Sequence, residues 1–185
     1  MGMARGKNIT FEFVMRIYLT GFMGAGKTTL GRHAAHHLMA HFLDTDELIE
    51  AKCHQSISSL FETQGEDFFR VTEAEILRNT IEYDHALIAT GGGLPVHHHN
   101  MTWMMEHGIT MYLEWPEDIL LASLIQHRSI RPLLSNLSEE EAIQKAITLL
   151  HERQPVYEQA SMTLSMTGEF EEDAKTLIKA CRYIW

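Results

Sequence analysis

Arg16-Ile17-Tyr18-Leu19-Thr20-Gly21-Phe22-Met23-Gly24-Ala25-Gly26-Lys27-Thr28-Thr29 is the stretch that decides the fold. Its opening apolar run, residues 16–20, reads as a buried strand that stops at Gly21. Gly21, Gly26, Lys27 and Thr28 then satisfy the spacing G-x-x-x-x-G-K-S/T, and Leu30, Ala34 and Leu38 recur on one face of a helix expected over about 27–40. The glycines let backbone N–H groups turn inward around phosphate oxygens, and the helix N-terminus adds positive potential. Gly24, Ala25, Gly26, Lys27, Thr28 and Thr29 are therefore the expected ATP-type phosphate cradle. Lys27 is expected to reach the β- and γ-phosphates, and the Thr28 hydroxyl to ligate Mg²⁺. The loop alone leaves the fate of the phosphate open, since NTPases, GTPases, small-molecule kinases and nucleotide-binding regulators share it.

Outward from this loop, strand patterns alternate with helical ones. Short strands are expected at 41–44, 86–90, 109–115 and 162–166. Helical segments are expected from Asp46 to about Tyr83, broken near Gly65, then over 100–107, from Pro116 to about 127, and over 171–181. Ser138 and Glu141 have capping-box spacing, so a long helix is expected from there to about Gln159. The alternation predicts an α/β chain: a three-layer P-loop fold with a five-stranded parallel sheet flanked by helices. Residues 128–137 read as a loop, a candidate mobile lid. Residues 15–185 read as a single domain and residues 1–14 as an extension of no evident role, with Met15 a candidate natural start.

Composition narrows the partners. With 185 residues, 45% of them hydrophobic, the chain is long and apolar enough to bury a core. Its net charge of −10 lacks the basic face of a nucleic-acid binder, so an anionic substrate must be met by a few focused cations. No apolar run is long enough for a transmembrane helix, and no apolar segment of signal-peptide type follows the N-terminus. Cys53 and Cys181 lack metal-type spacing and read as reduced thiols, so a cytoplasmic setting and a monomer are expected.

The acceptor chemistry rests on residues farther along. Asp44-Thr45-Asp46 ends the second strand, where parallel sheets present ligand-binding residues. One carboxylate there can hold Mg²⁺ through water and the other can face an acceptor hydroxyl; the alternative is that Asp46 merely caps the helix that follows. Gly91, Gly92 and Gly93 end the third strand and permit close approach of a ligand, or form a plain turn. Arg70 reads as a substrate cation or as a surface ion pair with Glu66 or Glu73. Arg131 falls in the loop, with Arg128 nearby, and Arg153 late in the long helix. The twelve histidines include His33, His36, His37 and His41, whose spacing reads as the polar face of one helix rather than a zinc site.

Taken in order, Gly21–Thr29, Asp44–Asp46, Phe69-Arg70-Val71-Thr72-Glu73, Gly91–Gly93, Arg131–Leu134 and Arg153–Tyr157 make the chain resemble the shikimate kinase family across residues 15–184. The resemblance implies transfer of the γ-phosphate of MgATP to the 3-hydroxyl of shikimate. It implies that Lys27, Asp46 and Arg131 are catalytic, with Asp46 on the substrate hydroxyls and Arg131 on the ATP phosphates. It implies that Arg70 and Arg153 pair with the shikimate carboxylate while Gly91, Gly92 and Gly93 pack against the ring. Thr28, and Asp44 through water, are the implied Mg²⁺ residues. The run His97-His98-His99 departs from the family pattern, and no adenine-contacting side chain is evident. A gluconate or nucleoside monophosphate kinase, or a non-catalytic P-loop regulator, are the alternatives.

Overall fold

The computed structural model describes residues 15–126, 133–134 and 137–185. Strands β1 (Arg16–Thr20), β2 (His41–Asp44), β3 (Ala86–Ala89), β4 (Ile109–Glu114) and β5 (Met162–Ser165) form one parallel sheet in the order β2-β3-β1-β4-β5. Among the described residues the helices are α1 (Lys27–Leu38), α2 (Thr45–Cys53), α3 (Ile57–Asn79), α4 (Asn100–His107), α5 (Glu117–Gln126), α6 (Glu139–Tyr157) and α7 (Phe170–Ile184). The expected five-stranded P-loop architecture is the one found.

The continuous apolar character of β1 follows from burial on both faces. On one face Ile17 and Leu19 meet Leu30 and Ala34 of α1 and Leu177 and Cys181 of α7. On the other, Tyr18 lies with Ile88, Leu77, Met101 and Met104. A third cluster joins Leu120 and Leu124 of α5 to Ala142, Ala146 and Leu150 of α6 around Phe22 and Tyr112. The polar start of β1 is absorbed locally: Arg16 is buried and donates to the carbonyls of Thr80, Ile81 and His107.

Helix limits follow from individual residues. Gly26 precedes α1 with φ 69°, a left-handed conformation that costs a glycine nothing, and no side chain caps the helix. Its first N–H groups therefore stay directed at the loop mouth. Met39, at φ 54°, turns its N–H back to the carbonyls of Ala35 and His36 and ends α1 at Leu38, short of the expected position 40. His41 consequently opens β2 and does not share a helix with His37, which corrects the four-histidine face read from the sequence. His37 instead faces Arg182 of α7 at 3.0 Å, and no group of three His, Cys, Asp or Glu among the described residues is placed to hold a metal.

Gly65, at φ 82° and ψ 172°, breaks α3 where the sequence placed a break. Ser138 and Glu141 form both halves of the capping box that starts α6. Cys53 and Cys181 are free thiols, and no described helix is long and apolar enough to cross a membrane. Residues 1–14 and most of the expected lid, including Arg128 and Arg131, lie outside the described residues.

Candidate active site

The sheet order places β1 between β3 and β4, so the chain leaves β1 and β3 beside one crevice at their carboxyl ends. That crevice holds a cavity of about 360 Å³, walled by residues 24–29 of the loop and by Asp44 and Asp46. Lys27 is buried there, its ammonium donating to the carbonyl oxygens of Gly21 and Phe22, each at 2.8 Å. The Thr28 hydroxyl donates to Asp44 Oδ2 at 2.6 Å. Asp44 Oδ1 accepts from the backbone N–H groups of Asp46 at 2.9 Å and Glu47 at 3.4 Å. Asp44 is thus the N-cap of α2, not Asp46 as the capping alternative had it. The cap fixes the Asp44 carboxylate beside Thr28 and leaves Asp46 one step into the helix.

A second cavity, about 90 Å³, lies beside the first. Asp46, Arg70, Glu73 and Arg153 form its polar wall, and Ile57, Phe61, Phe69 and Leu133 its apolar one. The two cavities have Met23, Asp46, Gly91 and Gly92 in common, so they adjoin at these residues. Gly92 is required there by space against backbone, and Gly91 and Gly93 leave room for the ends of the Asp46, Glu73 and Arg70 side chains. A Cβ at Gly91 would come within 2.7 Å of Asp46 Oδ1 and 2.9 Å of Glu73 Oε1. At Gly92 it would stand 2.8 Å from the Met23 nitrogen, and at Gly93 2.5 Å from Arg70 Nη1. The Gly91 N–H is held by the buried Thr45 hydroxyl at 2.9 Å, which ties the glycine turn to the start of α2.

Arg70 is a buried cation with ordered partners, which corrects the surface-pair alternative. Its Nη1 donates to Glu73 Oε2 at 2.7 Å, and its Nη2 and Nε to Glu66 Oε1 at 2.7 and 3.1 Å. Phe69 and Phe61 lie under the guanidinium at 5.2 and 6.0 Å. Burial works against the Arg70 charge, but Glu73 and Glu66 outweigh it and hold its pKa up. Glu73 is 1% exposed, and burial pushes its carboxyl up to about 7 against the pull of Arg70, with the Asp46 charge adding to the rise. His97 sits near this pair, and burial followed by the Arg70 and Arg153 charges lowers its pKa.

Arg153 is buried on α6, its guanidinium 5.9 Å from the Phe22 ring of the phosphate loop. One turn on, the Tyr157 hydroxyl donates to the Gly92 carbonyl at 2.5 Å. The structure thus brings Lys27, Thr28, Asp44, Asp46, Arg70, Gly91, Gly92, Gly93 and Arg153 to one crevice. Sequence reasoning assigned no role to Thr45 or Tyr157, and read Glu73 only as a surface ion-pair partner of Arg70. Each lies inside a quoted motif, and that position was the available signal.

Comparison with known proteins agrees with this geometry. The family model for shikimate kinase matches residues 23–182. A shikimate kinase of Salinibacter ruber is 41% identical over 165 residues, covering 86% of this chain and 81% of its own. The solved shikimate kinase of Acinetobacter baumannii in complex with shikimate superposes with a TM-score of 0.84 at 35% identity, covering 94% of this chain and 96% of its own. That of Bacteroides thetaiotaomicron gives 0.82 at 34% identity, covering 91% and 98%. The motif order, the sheet order and these likenesses converge: the chain belongs to the shikimate kinase family of ATP-dependent kinases.

Proposed function

We propose that this chain transfers the γ-phosphoryl group of ATP to the 3-hydroxyl of shikimate, giving 3-phosphoshikimate and ADP in the cytoplasm. The observation that carries the reading is the meeting of the two cavities at Asp46 and Gly91–Gly92. The larger presents loop N–H groups and Lys27 for a phosphate chain, and the smaller presents two buried arginines for a carboxylate.

The division of labour follows from the side chains. The backbone of Gly24–Thr29 receives the phosphates, and Lys27 exchanges its two carbonyl partners for phosphate oxygens. The oxygen set at Thr28 and Asp44 suits a hard divalent cation, and the two groups already touch. Mg²⁺ bound there supplies charge neutralisation on the phosphates. Thr28 would hold it directly and Asp44 through water. Arg70 and Arg153 each offer a planar fork to the shikimate carboxylate. The glycine floor brings the ring against backbone, and Asp46 accepts the 3-hydroxyl, orienting it and taking its proton. In a loose phosphoryl-transfer transition state, positioning and charge dominate over general-base strength. The family resemblance assigns Arg131 to the ATP phosphates, with Arg128 three residues before it in the sequence. The chain acts as a monomer.

The test is a coupled ADP-release assay with MgATP and, in parallel, shikimate, gluconate and nucleoside monophosphates. Shikimate-dependent ADP formation that the other acceptors do not produce is expected. ADP formation with gluconate in preference to shikimate would overturn the assignment.

A further inference from the structure

Tyr157 is the residue of the Arg153–Tyr157 motif to which phosphoryl transfer assigns no contact, yet it is fully buried beside the acceptor cavity. Its hydroxyl donates to the Gly92 carbonyl at 2.5 Å, and Arg153 stands one turn earlier on the same helix. Gly92 in turn presses on the phosphate loop, where even a Cβ would come within 2.8 Å of the Met23 nitrogen. Arg153 leans on the same loop through the Phe22 ring. The Tyr112 ring, 5.4 Å away and tilted by 32°, holds the Tyr157 ring in place without a hydrogen bond to Gly92.

From this chain of contacts we infer that Tyr157 is a positioning residue for the acceptor: its hydroxyl fixes the Gly92 turn, which lines the acceptor cavity beside Arg153, in one arrangement against the phosphate loop. The inference rests on the shikimate-phosphorylation reading and deepens it. The physical reason is that an acceptor is captured well only by a site that already holds its bound shape. Without the hydroxyl, the half-buried Gly92 carbonyl loses its partner. The turn then populates other arrangements, and the apparent affinity for the acceptor falls by the fraction that remains competent. The nucleotide side keeps its own backbone cradle and Lys27, so it is spared.

The experiment compares the native chain, Tyr157→Phe and Tyr112→Phe in the ADP-release assay, with the thermal midpoint of each recorded. Tyr112→Phe removes a neighbouring hydroxyl of the same packing cluster and controls for loss of a phenol. For Tyr157→Phe, the KM for shikimate is expected to rise at least about tenfold, with kcat reduced less than about threefold and the KM for ATP within about twofold of native. Tyr112→Phe is expected to stay within about twofold throughout. An unchanged shikimate KM in Tyr157→Phe would overturn the inference. So would a parallel rise in both KM values with a lowered thermal midpoint, which marks general loosening. Absence of shikimate-dependent ADP formation by the native chain would overturn the functional reading, and this inference with it. Native activity with an indifferent Tyr157→Phe would overturn the inference alone.

Discussion

Replacing Glu73 by glutamine removes a carboxyl that the fold holds in an unusual state. Glu73 is 1% exposed, and its pKa stands near 7 against an ordinary 4.5. The folded chain therefore keeps a proton between about pH 4.5 and 7 that the unfolded chain has released. Where the folded state binds more protons, stability falls as pH rises. The Glu73 contribution is fully present below the unfolded pKa and is lost as pH climbs through the folded one. A shift from 4.5 to about 7 corresponds to about 3 kcal/mol over that window. For a chain of this size that is roughly 6–12 °C in thermal midpoint. The amide introduced by Glu73→Gln is neutral at every pH, so the variant lacks this loss. Thermal unfolding of both proteins between about pH 4 and 8 provides the assay, and titrating groups distant from Glu73 cancel in the difference. The native midpoint relative to the variant should decline across the window and then level off above it. Parallel profiles would refute the burial argument. A native midpoint that gains on the variant with rising pH would refute its sign, because Arg70 would then dominate over burial.

Three further predictions concern the proposed roles. Lys27→Met should lower kcat about a hundredfold or more, the cost of losing one preorganised donor to transition-state charge, while calorimetry still detects shikimate binding. Asp46→Asn should lose most turnover, about a hundredfold; near-normal turnover with tight shikimate binding would defeat the assigned role. Arg153→Lys keeps the charge and loses the fork, so the KM for shikimate should rise roughly ten- to a hundredfold while the KM for ATP holds. Equal increases in both KM values would assign Arg153 to the scaffold.

The sequence carried the sheet and the donor loop because those features are local. A strand, a glycine loop and an amphipathic helix in succession leave one topology for residues 16–38, and both halves of the Ser138–Glu141 box are three residues apart. What it left open depended on depth and direction. Asp44 and Asp46 are both good helix caps by type, and only the backbone path shows that Asp44 takes the cap and meets Thr28. Arg70 with Glu66 and Glu73 has helical ion-pair spacing, and spacing carries no information on burial. Gly91, Gly92 and Gly93 were read as permitting close approach, but which atom approaches each is set by elements distant in sequence, from Met23 to Arg70. The hydroxyls of Thr45 and Tyr157 act on backbone atoms 46 and 65 residues away, and no local pattern records such a bond.

The most direct test of the account is the structure of the product. The native chain incubated with MgATP and shikimate should yield one phosphorylated acceptor. Phosphorus–proton coupling in its nuclear magnetic resonance spectrum should place the phosphate on the 3-oxygen, in amount equal to the ADP formed. Phosphate on another hydroxyl, or ADP released with inorganic phosphate and unmodified shikimate, would contradict it.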